Sequence, residues 1–195
     1  TDFGSGSRVF KSNERQISAI AKNSGTSLKR AQLLYRVVNY FKPEHTLELG
    51  TSLGIATQAL SLGDFDHSVL SLEGCSNISK FTTQQLSEAH IKNATVKTGE
   101  FETTLPKLKA NTYDLIFFDG NHNKKATLNY FEMLIDKTHN DSIFIFDDIH
   151  WSKDMLEAWE DIKSHPKVTV TIDTFFWGFV FFRKEQVKEN FTIRV

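Results

Sequence analysis

The 195-residue sequence contains a single cysteine, Cys75, so no internal disulfide framework can staple the chain, and a reducing compartment is the expected setting. It lacks any apolar run near the ~20 residues that a membrane-spanning helix needs. No charged-then-apolar signal opens it either. Charge of one sign is not in excess: 23 basic and 24 acidic residues leave a formal net charge of −1. That balance excludes the broad basic field that nucleic acid or an anionic membrane surface would select. A cytoplasmic protein with a small-molecule partner is the expectation, with no nucleic acid and no membrane involved and a homodimer left open. Internal repeats, low-complexity segments and linkers are absent as well. One domain is expected over residues 1–195, large enough to bury a core without staples, with an N-terminal helical segment over 1–42 and the core over 43–195. The chain opens at Thr1 without an initiator methionine, and a natural N-terminus further upstream is expected.

Also missing is the G-x-G-x-x-G of a dinucleotide-binding turn. In its place LELGTSLGIATQAL, residues 47–60, carries Gly50 and Gly54 at G-x-x-x-G spacing between a strand and a helix. Such a turn holds a nucleotide-like ligand against backbone amides, but glycine also serves any tight turn after a strand. Its neighbours have to decide.

Those neighbours alternate. Ser27 caps a helix whose apolar positions Leu28, Ala31, Tyr35, Val38 and Phe41 follow the helical period until Pro43 stops it. A strand over His45–Leu49 leads through the glycine turn to a helix ending near Ser61. SVLSLEG, an amphipathic stretch from Asn77 to His90, and NATVKTG follow as strand, helix and strand. Then come the strand YDLIFFDG, the helix KKATLNYFEMLID with Leu128, Phe131 and Ile135 on one face, the strand SIFIFDD and the helix SKDMLEAWEDIK. Strands alternating with helices predict a parallel sheet covered on both faces.

The end breaks that rhythm. VTVTIDTFFWGFVFFR offers two strands about Gly178 with no room for a crossover helix, so they pair as an antiparallel hairpin. Phe179 and Phe181 face one way and Val180 and Phe182 the other; a strand apolar on both faces belongs inside a sheet, which puts the last strand between the fifth and the sixth. The fold class predicted is therefore α/β: a Rossmann-like three-layer sandwich around a mostly parallel seven-stranded sheet with a C-terminal antiparallel hairpin.

Ligands of such sheets bind beyond the carboxyl ends of the strands. The first strand delivers Glu48, Gly50, Thr51 and Ser52 there, and the second Glu73 and Gly74. The third delivers Gly99, Glu100 and Phe101, the fourth Asp119 to His122, and the fifth Asp147, Asp148, His150 and Trp151. Carboxylates gain nothing from a crowded edge unless they bind donors or cations. Glu73, 23 residues past Gly50, stands where a carboxylate can accept both hydroxyls of a ribose. Nicotinamide cofactors and S-adenosylmethionine both carry a ribose; the turn and the terminal hairpin favour the methyl donor.

On ELGTSLG, SLEG, the G-E-F after the third strand, YDLIFFDGNH, IFIFDDIHW and the closing hairpin, the chain resembles the class I S-adenosylmethionine-dependent methyltransferases, and within them the small-molecule O-methyltransferase-like branch, over residues 45–183. The resemblance implies a donor site in which the Gly50–Gly54 turn backs the amino-acid part, Glu73 holds the ribose, and Glu100 and Phe101 border the adenine. Glu48, Thr51, Ser52, Gly74 and Asp119 complete that set. The family more often has Asp at the position of Glu100, and D-G-D-H where this chain has Asp119, Gly120, Asn121 and His122. DFGSGSR near the N-terminus mimics the glycine motif without a preceding strand, and is read as a flexible or substrate-side segment.

The acceptor side has two candidate devices. Asp119, Asp147 and Asp148 are oxygen ligands for Mg²⁺ or another divalent cation, matching positions that relatives resembling catechol O-methyltransferase use, and such an ion would lower the pKa of an acceptor hydroxyl. Alternatively His150 or His122 is the general base, with Asp119 beside it. The bland alternative is that the aspartates cap the next helix and the histidines merely line the pocket; Cys75 reads as a small filler. Function is thus expected to be methyl transfer to a small molecule at a hydroxyl oxygen, against a nicotinamide-dependent oxidoreductase or a non-catalytic donor-binding module.

Overall fold

The structure, a computed structural model, describes residues 16–109 and 112–194; DFGSGSR lies outside them. Two helices open it, α1 (Ile17–Ser24), which the sequence pattern did not separate, and α2 (Leu28–Phe41). The Ser27 side chain accepts from the Arg30 amide and starts α2. At the other end Lys42 turns left-handed, with φ 51°, and returns its N–H to Val38, so the chain leaves the helix at Pro43. There follow β1 (His45–Leu49), α3 (Ile55–Gly63), β2 (Ser68–Glu73), α4 (Ser76–Glu88), β3 (Ala94–Thr98) and the single turn α5 (Phe101–Thr104). The second half runs β4 (Leu115–Phe118), α6 (Lys124–Ile135), β5 (Ile143–Asp147), α7 (Lys153–Ser164), β6 (Val170–Asp173), β7 (Trp177–Phe181) and β8 (Glu189–Thr192).

The strands form one sheet in the order β3-β2-β1-β4-β5-β7-β6-β8. The first five are parallel, and β7 lies antiparallel between β5 and β6 as its two apolar faces require. The sheet has eight strands, where the pattern gave seven. The extra one, β8, pairs parallel to β6 at the edge; its exposed ENFT lacks the apolar alternation that would have announced it. The hairpin also turns earlier than expected. Its turn lies between Asp173 and Trp177, with Phe175 at φ 74°, whereas Gly178 sits inside β7. That glycine is there for space: a Cβ at Gly178 would come within 2.5 Å of the Trp159 ring.

Two apolar layers hold the sheet. On one face Leu34, Val37 and Val38 of α2 and Ala56, Ala59 and Leu60 of α3 cover Phe117, Ile145, Trp177 and Phe179. On the other, Tyr130, Phe131 and Leu134 of α6 and Trp159 and Ile162 of α7 cover Phe118, Phe144, Phe146, Val180 and Phe182. Trp177, Phe179 and Phe182 of the C-terminal hairpin are thus core, each buried ring contributing roughly 1.5–3 kcal/mol, whereas Phe175 and Phe176 in its turn are exposed. Among the described residues no helix is long and apolar enough to cross a membrane. Strand order reverses between β1 and β4, and there the carboxyl ends diverge and leave a crevice.

Candidate active site

At the head of β1 the backbone leaves the sheet through Gly50 (φ 103°), Ser52 (φ 46°) and Gly54 (φ 76°). Gly50 admits no side chain, because a Cβ would lie 2.1 Å from the Asp119 carbonyl oxygen. Ser52, Asn121 (φ 59°) and Asp148 (φ 55°) are left-handed without being glycine, at the ends of β1, β4 and β5. Such residues cost roughly 1–3 kcal/mol each and gather where a structure holds ligands. The strain is thus concentrated on the edge that the sequence motifs mark.

Glu73, at the end of β2 and half-buried, ties this edge together: Oε2 accepts from the Ser52 amide at 3.0 Å and Oε1 from the Cys75 amide at 2.8 Å. Gly74 follows it, half-buried, and Cys75 is buried as expected of a filler. Thr51 is buried and shares a 2.5 Å hydrogen bond with Ser71. Phe101, at the start of α5, packs edge-to-face on Tyr130 with centroids 5.5 Å apart, and exposed Glu100 precedes it.

Glu48 does not share that crevice. Its side chain is fully buried, and Oε2 accepts from Thr57 and Ser71, each at 2.5 Å. Strand alternation sends it behind the turn, toward α3, opposite Leu47 and Leu49. It therefore supports the Thr51–Ser71 pair from beneath the turn, and its Oε1 has no hydrogen-bond partner among the described residues. Burial is the main cause that pushes its pKa from 4.5 up to about 7, the two hydroxyl donors opposing and Glu73 adding to the rise.

The ends of β4 and β5 bring together Asp119, His122 and Asp147, whose ligand atoms all lie within 4.8 Å of one another. His122 Nε2 is 3.7 Å from Asp119 Oδ1. The Trp177 indole N–H donates to Asp147 Oδ1 at 2.6 Å, and Arg30 Nη1 of α2 lies 3.7 Å from the same oxygen. Asp119 is held well above the usual carboxylate range, first by burial and then by the charge of Asp147 and a hydrogen bond with it; Glu48 and Asp148 add to this. A proton kept on Asp119 relieves that repulsion. Asp148 falls outside the three-residue group, half-buried, its pKa raised by burial and Asp147 against the opposing charges of His122 and Arg30.

His150 also stands apart. It is exposed, its Nε2 is 2.8 Å from Asp173 Oδ2, and its ring stacks on Phe175 at 5.2 Å. The β6–β7 turn captures it, so of the two histidines it is His122 that meets the aspartates. Sequence reasoning missed Arg30, Trp177 and Tyr130, each ordinary in its own stretch and significant only through contacts from other elements. Two shallow grooves of about 530 and 460 Å³ lie between α4 and β3, away from this chemistry.

The family model of the methyltransferase domain matches residues 47–149, more than half of the chain, and the chain belongs to that family. No curated protein sequence matches it. Among solved structures it resembles the SAH-bound methyltransferase PaMTH1 of Podospora anserina, with TM-score 0.72 and 17% identity over 82% of this chain and 80% of that one. It also resembles the O-methyltransferase TomG of Streptomyces achromogenes, involved in tomaymycin synthesis and in complex with SAM: TM-score 0.73, 16% identity, 88% of this chain and 91% of that. An O-methyltransferase from Bacillus cereus in complex with SAH gives TM-score 0.71 and 19% identity over 89% of this chain and 93% of that one. At these identities the likeness is one of fold. Family membership sets aside the nicotinamide-dependent alternative.

Proposed function

We propose that the chain is an S-adenosylmethionine-dependent methyltransferase acting on a hydroxyl oxygen of a small molecule. The observation that carries this reading is the meeting, at the point where strand order reverses, of the strained Gly50–Gly54 turn, the Glu73 carboxylate and the Asp119–His122–Asp147 group. S-adenosylmethionine, which relatives of the same fold hold as SAM or as its product SAH, supplies an electrophilic methyl group on a sulfonium. The donor set suits it: a turn too tight for any Cβ at Gly50 lets backbone approach the amino-acid end, and Glu73 accepts from ribose hydroxyls. Phe101 and Glu100 border the adenine.

The acceptor's proton goes to His122 Nε2, and the adjacent carboxyl groups of Asp119 and Asp147 stabilise the imidazolium. The exposed rings of Trp151, Phe175 and Phe176 flank the acceptor and orient it. Two carboxylates and an imidazole within reach of one another also fit a divalent cation, which would act as a Lewis acid on the hydroxyl, with Asp119, Asp147 and His122 as ligands and Asp148 next to them.

The test is donor binding. SAH in large excess should raise the melting temperature while NAD does not. Glu73→Ala should weaken SAH binding by about 1.5–3 kcal/mol in calorimetry, the scale of hydrogen bonds to a charged acceptor. A shift with NAD alone would overturn the donor assignment, and donor binding without product across a panel of phenols would leave a binding module instead.

A further inference from the structure

Arg30 is the permanent positive charge that the described residues bring within ion-pair distance of the acidic group. The Ser27 cap fixes its backbone in the first turn of α2, and Leu34, Val37 and Val38 pin that helix to the sheet. Its side chain is only 27% exposed, with Nη1 3.7 Å from Asp147 Oδ1 and the guanidinium 4.2 Å above the Phe176 ring. The ring that receives it is fixed in turn: Phe176 belongs to the β6–β7 turn, closed by the Phe175 amide on Asp173 at 2.7 Å and by the Trp177 carbonyl accepting from Thr174. Asp147 thus meets the Trp177 indole, the Asp119 carboxyl with which it shares a hydrogen bond, and one full positive charge supplied from another element of the fold.

A cation entering between Asp119, His122 and Asp147 has to share Asp147 with that guanidinium or displace it. Like charges a few ångströms apart repel strongly in a partly buried site, and a divalent ion doubles the effect. We propose that Arg30 is a built-in counter-ion that competes with divalent cations for Asp147 and so sets how weakly this site takes a metal. The inference rests on the reading of Asp119, His122 and Asp147 as the reacting edge, and it adds a residue that no motif on the strand ends contains.

Calorimetric titration of the whole chain with Mn²⁺, and separately with Mg²⁺, tests it. Arg30→Met keeps an apolar stem on Phe176 and removes the charge; it should bind Mn²⁺ at least about tenfold more tightly than the unaltered protein. Arg30→Lys keeps the charge without the planar fork and should stay within about threefold of the unaltered protein. Adding Asp147→Asn to Arg30→Met should abolish the gain. Unchanged Mn²⁺ affinity in Arg30→Met, an equal gain in Arg30→Lys, or a gain that survives Asp147→Asn would each overturn the proposal. Should Arg30→Met fail to fold, Arg30→Gln makes the same comparison. SAH affinity, measured on the same samples, separates the two readings: SAH binding with no Mn²⁺ effect defeats only the role of Arg30, whereas no SAH binding by the unaltered protein defeats the methyltransferase site beneath it.

Discussion

Replacing Glu48 by glutamine isolates a carboxyl group whose proton the fold holds up to about pH 7. The group is fully buried; Thr57 and Ser71 donate to Oε2, and Oε1 has no partner among the described residues. Ionising it strands a charge in the interior, and the rise of its pKa from 4.5 to about 7 expresses that cost. The native state holds this proton to a higher pH than the unfolded chain does. Its contribution to stability is therefore present in full below pH 4.5 and is lost as pH climbs through 7. The displacement corresponds to about 3 kcal/mol. Glutamine keeps an oxygen for Thr57 and Ser71 and cannot ionise, so Glu48→Gln should not show this loss. Urea unfolding followed by tryptophan fluorescence from pH 4.5 to 8 gives the comparison. The difference in stability, variant minus unaltered protein, should widen by about 3 kcal/mol across that range and level off above it. Asp148, whose pKa is also raised, has no contribution from Glu48 and cancels between the two proteins, whereas Asp119 loses in the variant the part of its rise that Glu48 adds. A difference that stays constant with pH would refute the burial argument, and with it the view that Glu48 braces the turn as a neutral acid.

Two further outcomes are expected. Gly178→Ala should destabilise by about 1–3 kcal/mol, because its Cβ would meet the buried Trp159 ring at 2.5 Å, and a melting temperature within a degree of the unaltered protein would show that the ring yields. With a phenolic acceptor that turns over, His122→Ala should lower kcat about 10²- to 10⁴-fold, whereas His150→Ala, held by Asp173 and Phe175, should change mainly KM; the reverse pattern would return the proton to His150.

The legible part of the site was whatever a strand end delivers by position. Gly50, Ser52 and Gly54 had to follow β1 and Glu73 had to close β2, because a parallel strand has one direction and its carboxyl end one edge. Alternation settled more than it was asked to. The same period of two that buries Leu47 and Leu49 under α6 sends Glu48 to the opposite face, toward Thr57 of α3, so the side on which it is buried was implicit in HTLEL. β8 was illegible for the opposite reason: an edge strand with exposed residues has no burial to write a pattern into its sequence.

By itself, then, the sequence determined the alternating helices and strands, the place of β7 inside the sheet and the edge on which the chemistry sits, since these follow from local periodicity and chain direction. Tertiary structure alone decided which side chains meet across that edge. His122 and His150 are equivalent in any one-dimensional reading; only the path of the β6–β7 turn puts Asp173 and Phe175 around one and leaves the other to Asp119 and Asp147. Likewise Arg30 lies far from Asp147 along the chain, and only the packing of α2 on the sheet sets its guanidinium beside that carboxylate. Contacts between distant segments depend on how layers pack, and the spacing of residues within a segment carries no record of them.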